Sequence, residues 1–157
     1  MITIEIDDHE IQAALRRLQR QIGDLTPAMQ EIGEYLVQST KDRFARAEDP
    51  EGNPWPALSP VTIERKGHDK PLVGESKRLS SEIFVRPDRD SVEVGSALEY
   101  AAVQQFGARK GEFGTDRHGR PIPWGDISKR PFIGLSNDDR AEILDIIEEY
   151  LARAIGG

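Results

Sequence analysis

The sequence predicts an α+β fold: a small antiparallel sheet of an N-terminal strand plus a hairpin, packed by long helices, with an extended arm or extra hairpin at 107–131. Three observations predict it. Apolar side chains alternate with a two-residue period only at the start and near the middle of the chain, as half-buried strands require. Apolar side chains at helical spacing fill longer stretches before the hairpin and at the end. Between hairpin and last helix lies a glycine-rich segment of 25 residues, longer than a compact domain normally leaves without structure of its own.

Ile2, Ile4 and Ile6 face one way and Thr3 and Glu5 the other, which predicts a strand at 2–6. Ile11, Leu15, Leu18 and Ile22 then recur at helical spacing, and Gly23 supplies a C-terminal stop. Thr26 suits an N-cap and Pro27 the first helical position, with Met29, Ile32, Leu36 and Phe44 as the stripe of a second helix reaching toward Ala47. The stretch EDPEGNPWPALSP at 48–60 contains four prolines and is neither helix nor central strand. It predicts an ordered loop with Trp55 as a core anchor. Ser59 and Pro60 suit the start of a short helix ending near Gly67, and residues 64–78 read as a flexible basic connection. Ile83 and Val85, the turn chemistry of PDRD at 87–90, and Val92 and Val94 predict the hairpin. Residues 97–106 predict a helix stopped by Gly107. Ser136 and Asp139 form a capping box for the last helix, whose apolar face is Ile143, Leu144, Ile147, Tyr150 and Leu151.

At 157 residues the chain predicts a single domain, 1–157, with a protruding arm. With 37% hydrophobic and 31% charged residues it has enough apolar surface to fold. A formal charge of -7 opposes general attraction to nucleic acid or an anionic membrane. The lack of cysteine removes disulfides, thiol catalysis and thiolate metal sites. Nothing in MITIEIDDHE reads as an export signal, and no apolar run approaches the ~20 residues that span a bilayer.

No reactive constellation stands out. His9, His68 and His118 are far apart and lack a partner ligand at helical spacing, so neither a metal nor another cofactor is expected. His68-Asp69 matches half of a metal-hydrolase signature, but stands alone in a polar connection. GEFGTDRHGR lacks the Lys-Ser/Thr ending of a phosphate cradle, and IGLSND lacks a Gly-x-Ser-x-Gly elbow. The reading is a non-enzyme.

What remains is the arm, with six Lys or Arg against three acids in 107–131. Phe113, Ile122, Trp124 and Ile127 make it too apolar for a plain solvated loop. One reading is a nucleic-acid arm, in which bases meet phosphates and aromatic rings stack on bases. The preferred reading is an inter-subunit arm that buries Phe113 and Trp124 on another copy while Arg109 and Arg130 meet acids there, supplied by the acidic last helix. Its contact residues are then Arg109, Phe113, Ile122, Trp124, Ile127 and Arg130. Tyr100, Phe106 and Gly107 form its hinge, with Tyr100 and Phe106 buried and Gly107 at positive φ.

Three blocks carry a family resemblance: DPEGNPWPALSPVT at 49–62, SVEVGSALEYAAVQQFG at 91–107 and RPFIGLS at 130–136. Their order and spacing resemble the phage virion morphogenesis family, the tail completion proteins of Mu-like phages. Many relatives carry His where this chain has Gln104, and Gly-x-Leu where it has Lys77-Arg78-Leu79. The resemblance implies a structural part of the tail end or head–tail connector (neck), located in the virion and assembled in the host cytoplasm. Its implied partners are further copies in a homo-oligomeric ring and other neck or tail proteins, with transient proximity to DNA and no membrane.

Overall fold

A computed structural model describes residues 2–3, 8–57, 82–98, 101–123 and 125–156. The short helix expected from Ser59 and the basic connection at 64–78 lie outside the described residues, as do positions 4–6 of the first strand.

Helix α1 spans His9–Ile22 and is capped by Asp8, whose carboxylate accepts the N–H groups of Glu10 at 3.0 Å and Ile11 at 3.1 Å. Its inward face is Ile11, Ala14 and Leu18, while Leu15 is half-buried and Ile22 exposed. Helix α2, Thr26–Arg46, starts one residue earlier than a Thr26 cap implies. Asp24 does the capping work: its Oδ1 accepts from both the Thr26 N–H at 2.9 Å and the Thr26 hydroxyl at 2.5 Å. A carboxylate two residues upstream competes better for the orphan N–H than a hydroxyl that would have to fold back on its own turn.

The hairpin forms as β2, Phe84–Pro87, and β3, Val92–Ser96, with Val85 opposite Val94 and Arg86 opposite Glu93. The strand β1, Ile2–Thr3, pairs antiparallel with β3 on its other edge, so the order is β1-β3-β2. Ile83, Val85, Val92 and Val94 join the core face, whereas Arg86 lies 4.4 Å over the ring of Phe84, two residues away in the same strand. The sheet meets α2 at Gly33, where a Cβ would come within 2.5 Å of Val85 Cγ1 and 2.9 Å of Val92 Cγ2.

Helix α3 is shorter than the expected 97–106 and covers Ala101–Phe106. Ser96 stays in β3, fully buried, and its hydroxyl accepts the Leu98 N–H at 3.3 Å, so the chain turns before it coils. The last helix, α4, runs Asn137–Gly156 and buries Ile143, Ile146, Ile147 and Leu151. Leu144 and Tyr150 border this face, and Ile146 replaces them at its centre. Helix α1 lies against α4, and α2 sits between α4 and the sheet. Each fully buried Leu or Ile contributes about 1.5–3 kcal/mol relative to exposure, so this seam is the main source of stability.

The capping box also ties α4 to α2. Ser136 and Asp139 exchange both bonds, each at 2.9 Å. Asp139 is also buried and forms an ion pair with Arg43 of α2, accepts the Ser39 hydroxyl at 2.5 Å and the Tyr35 hydroxyl at 3.1 Å. Burial opposes its ionisation, but the Ser136 N–H, the Ser39 hydroxyl and the Arg43 charge outweigh that, and the carboxyl lies below the ordinary aspartate value. Burial together with the neighbouring Asp139 charge pushes the Tyr35 phenol up to about 12.

Candidate functional site

The described parts of the three blocks that carry the family resemblance meet in space. The loop at 48–55 is closed by the Asp49 carboxylate, which accepts the N–H groups of Glu51 and Asn53 at 2.9 Å each. Trp55 emerges from it into a small aromatic core, 5% exposed. Its ring stands edge-on to Phe44, centroids 5.5 Å apart, and Phe44 tilts onto Phe132 at 5.4 Å. Trp55 is thus core, as expected of it.

The backbone of 131–133 is held by side chains from three directions. Trp55 Nε1 donates to Pro131 O at 2.7 Å, Arg43 Nη1 to Phe132 O at 3.0 Å, and Gln105 Nε2 to Ile133 O at 2.9 Å. The Gln105 Oε1 accepts from Phe132 N at 2.9 Å and Ile133 N at 3.1 Å, so one amide group satisfies three backbone groups as a neighbouring strand would. One residue on, a Cβ on Gly134 would meet Pro50 Cγ at 2.7 Å, so only glycine lets the two loops touch.

From this root the arm leaves and returns as a laced pair of limbs. Ala108 and Ile127 exchange both backbone bonds, at 3.0 and 2.7 Å. Further out, Gly111 N donates to Pro123 O at 3.0 Å, Phe113 N to Ile122 O at 2.9 Å, and Thr115 bridges to Pro121. At the tip, Asp116 accepts the N–H groups of His118 at 2.8 Å and Arg120 at 3.0 Å. Isolated bonds replace a regular ladder because prolines at 121 and 123 remove donors and glycines at 111, 114 and 119 turn the chain.

Gly107 has φ +75°, the positive value expected of it, and a Cβ there would sit 2.7 Å from Ile127 O. Phe106 differs from expectation: it is 68% exposed. On a helix of six residues, Ala101 and Gln105 share the face turned to the body, which puts Phe106 about 100° round toward solvent. Tyr100 and Trp124 lie outside the described residues. Phe113 is 57% and Ile122 39% exposed, Ile127 is half-buried at the arm's base, and Arg109 is exposed. Arg130 turns to its own chain, donating from Nε to Pro56 O at 2.9 Å and from Nη2 to Ala57 O at 3.3 Å. Partial burial lowers the pKa of that guanidinium. Both acceptors are carbonyl oxygens of its own chain.

Gln105 and Arg43 were missed by sequence reasoning. A signal for Arg43 exists: it falls seven residues after Leu36, on the buried stripe of α2, where a charge needs a buried partner. Gln105 carries no such signal. Among the described residues no three His, Asp or Glu side chains converge on a metal position, and no helix is long and apolar enough to cross a membrane.

The model of the phage virion morphogenesis family matches residues 6–152. The chain belongs to that family. It is also 32% identical over 151 residues to the Mu-like prophage FluMu G protein 2 of Haemophilus influenzae, covering 96% of each chain. No solved structure matches it significantly. As a member of this family the chain is a phage assembly protein associated with the virion.

Proposed function

We propose that this virion morphogenesis protein completes the phage tail or the head–tail connector as an oligomeric ring, with the arm as its inter-subunit contact and no catalytic step. The ring also meets other neck or tail proteins and assembles in the host cytoplasm. One observation carries the reading: a limb with Phe113 and Ile122 exposed at 57% and 39% is anchored at its root by part-buried bonds. Among the described residues, the backbone hydrogen bonds of 108–122 all close within the limb itself. An exposed apolar limb on a rigid root is what a heterologous, head-to-tail contact needs.

The test is an excision that respects the geometry. Because Ala108 and Ile127 already pair, residues 109–126 can be replaced by Asn-Gly without stretching the chain. The variant should fold with the circular dichroism of the parent, and phage production from it should stop at unjoined or unfinished tails. Normal particle yield would overturn the proposal.

A second reading has its own support. Arg109, Lys110 and Arg117 are exposed around Phe113, a pattern that suits single-stranded or duplex nucleic acid passing through a neck. It predicts DNA affinity that falls steeply with salt and is lost in Arg109→Ala. Salt-insensitive association with no DNA shift excludes it.

A further inference from the structure

We infer that the surface receiving the arm is the proline-walled groove between the 49–56 loop and the 131–135 strap of a second copy of this chain. The inference rests on the ring reading above and names its acceptor. The groove encloses about 500 Å³ and is walled by Pro54, Trp55, Pro131, Ile133 and Leu135. That volume lies within the ~300–1,000 Å³ range of sites that take up a buried group. Proline rings offer C–H surface and no N–H donor, so the wall suits a phenyl or aliphatic side chain better than a polar one.

Three further observations fit this occupant. The groove is rigid before anything enters, since Asp49 closes one lip and Trp55, Arg43 and Gln105 hold the other, and a preformed groove avoids the entropy of ordering its walls. Its acids are Asp49 and Glu51 against one base, Lys129, whereas residues 109–120 of the arm expose four bases, Arg109, Lys110, Arg117 and Arg120, against one acid, Glu112. A second hollow of about 320 Å³ borders the groove and shares Asp49, Pro50, Glu51 and Leu135 with it. Among the described residues of its own arm segment, Lys129 and Pro131 at the root line the groove and Phe113 does not. Donor and acceptor are different surfaces of one chain, and repeating that contact closes a ring or winds a filament.

The natural absence of cysteine makes the contact easy to trap. Phe113→Cys and Pro54→Cys are placed in separately tagged copies, mixed, and treated with a short bis-maleimide. Both positions are exposed in the structure. The expected product is the mixed dimer, and the chain carrying both substitutions should give a ladder of higher species. Glu51→Arg and Arg109→Glu should each weaken self-association about tenfold, and their combination should recover most of it. If the protein self-associates but Phe113→Cys couples instead to Glu149→Cys on α4, the groove assignment is wrong and the ring reading stands. A chain that stays monomeric at every concentration, with no coupling, overturns both.

Discussion

Replacing Asp139 by Asn probes the bond that joins α2 to α4 beneath the arm's root. The side chains of Arg43 and Asp139 are 4% and 1% exposed, so neither can turn to water when the other is lost. After Asp139→Asn the guanidinium loses its counter-charge and is left among neutral acceptors, including Phe132 O at 3.0 Å and the Ser39 hydroxyl at 3.3 Å. Removing one member of a buried pair costs about 3–5 kcal/mol, against a total stability of about 5–15 kcal/mol. For a chain of this size each kcal/mol moves Tm by ~2–4 °C, so the drop should be about 6–20 °C. Thermal and urea unfolding at pH 7, followed by far-UV circular dichroism, measures it. Adding Arg43→Met should restore part of the loss, because the stranded charge goes with it. The acid limb supplies an independent reading. The Asp139 carboxyl titrates below its ordinary 3.8, so its contribution is complete above that value and disappears as pH falls further through its folded value. The gap between parent and variant should therefore narrow below about pH 3.8. A loss under about 1 kcal/mol at neutral pH would refute the reasoning, since an exposed pair costs that much.

Other predictions follow from the same geometry. Gly107→Ala meets both a positive φ and the Ile127 carbonyl, and should cost about 1–3 kcal/mol locally, read as lost hydrogen-exchange protection at Ala108 and Ile127 with little change in the α1–α4 core. Gln105→Ala strands three backbone groups of 132–133 and should lower stability by about 2–4 kcal/mol in urea titration; an effect near zero would mean that water replaces the amide. At high pH, the raised Tyr35 phenol contributes stability that is complete below 10 and lost as pH rises toward about 12, so Tyr35→Phe should flatten that part of the alkaline limb.

Periodicity made the helices and hairpin readable because their apolar faces are regular: Ile11 and Leu18 in α1, Ile32 and Leu36 in α2, Val85 and Val94 in the sheet. The capping box of α4 was readable from Ser136 and Asp139 alone, because both bonds are local. What sequence could not show is long-range use of ordinary residues. Arg43, Gln105 and Asp139 act across 27 to 104 residues of chain, and no local pattern reports a bond to a distant carbonyl or carboxylate. The arm was legible as an anomaly of composition, and its lacing was not, since isolated bridges leave no alternation to detect. Phe106 was misplaced because burial on a short helix depends on which face the body takes, and Gln105 rather than the aromatic ring won that face.

The central claim is that the arm joins copies of this chain and contributes little to the fold of any one of them. Light scattering on the parent and on the chain with 109–126 replaced by Asn-Gly tests it in one measurement. The claim predicts an assembling parent and a folded, monomeric excision variant; an excision variant of the same mass as the parent's assembly would contradict it.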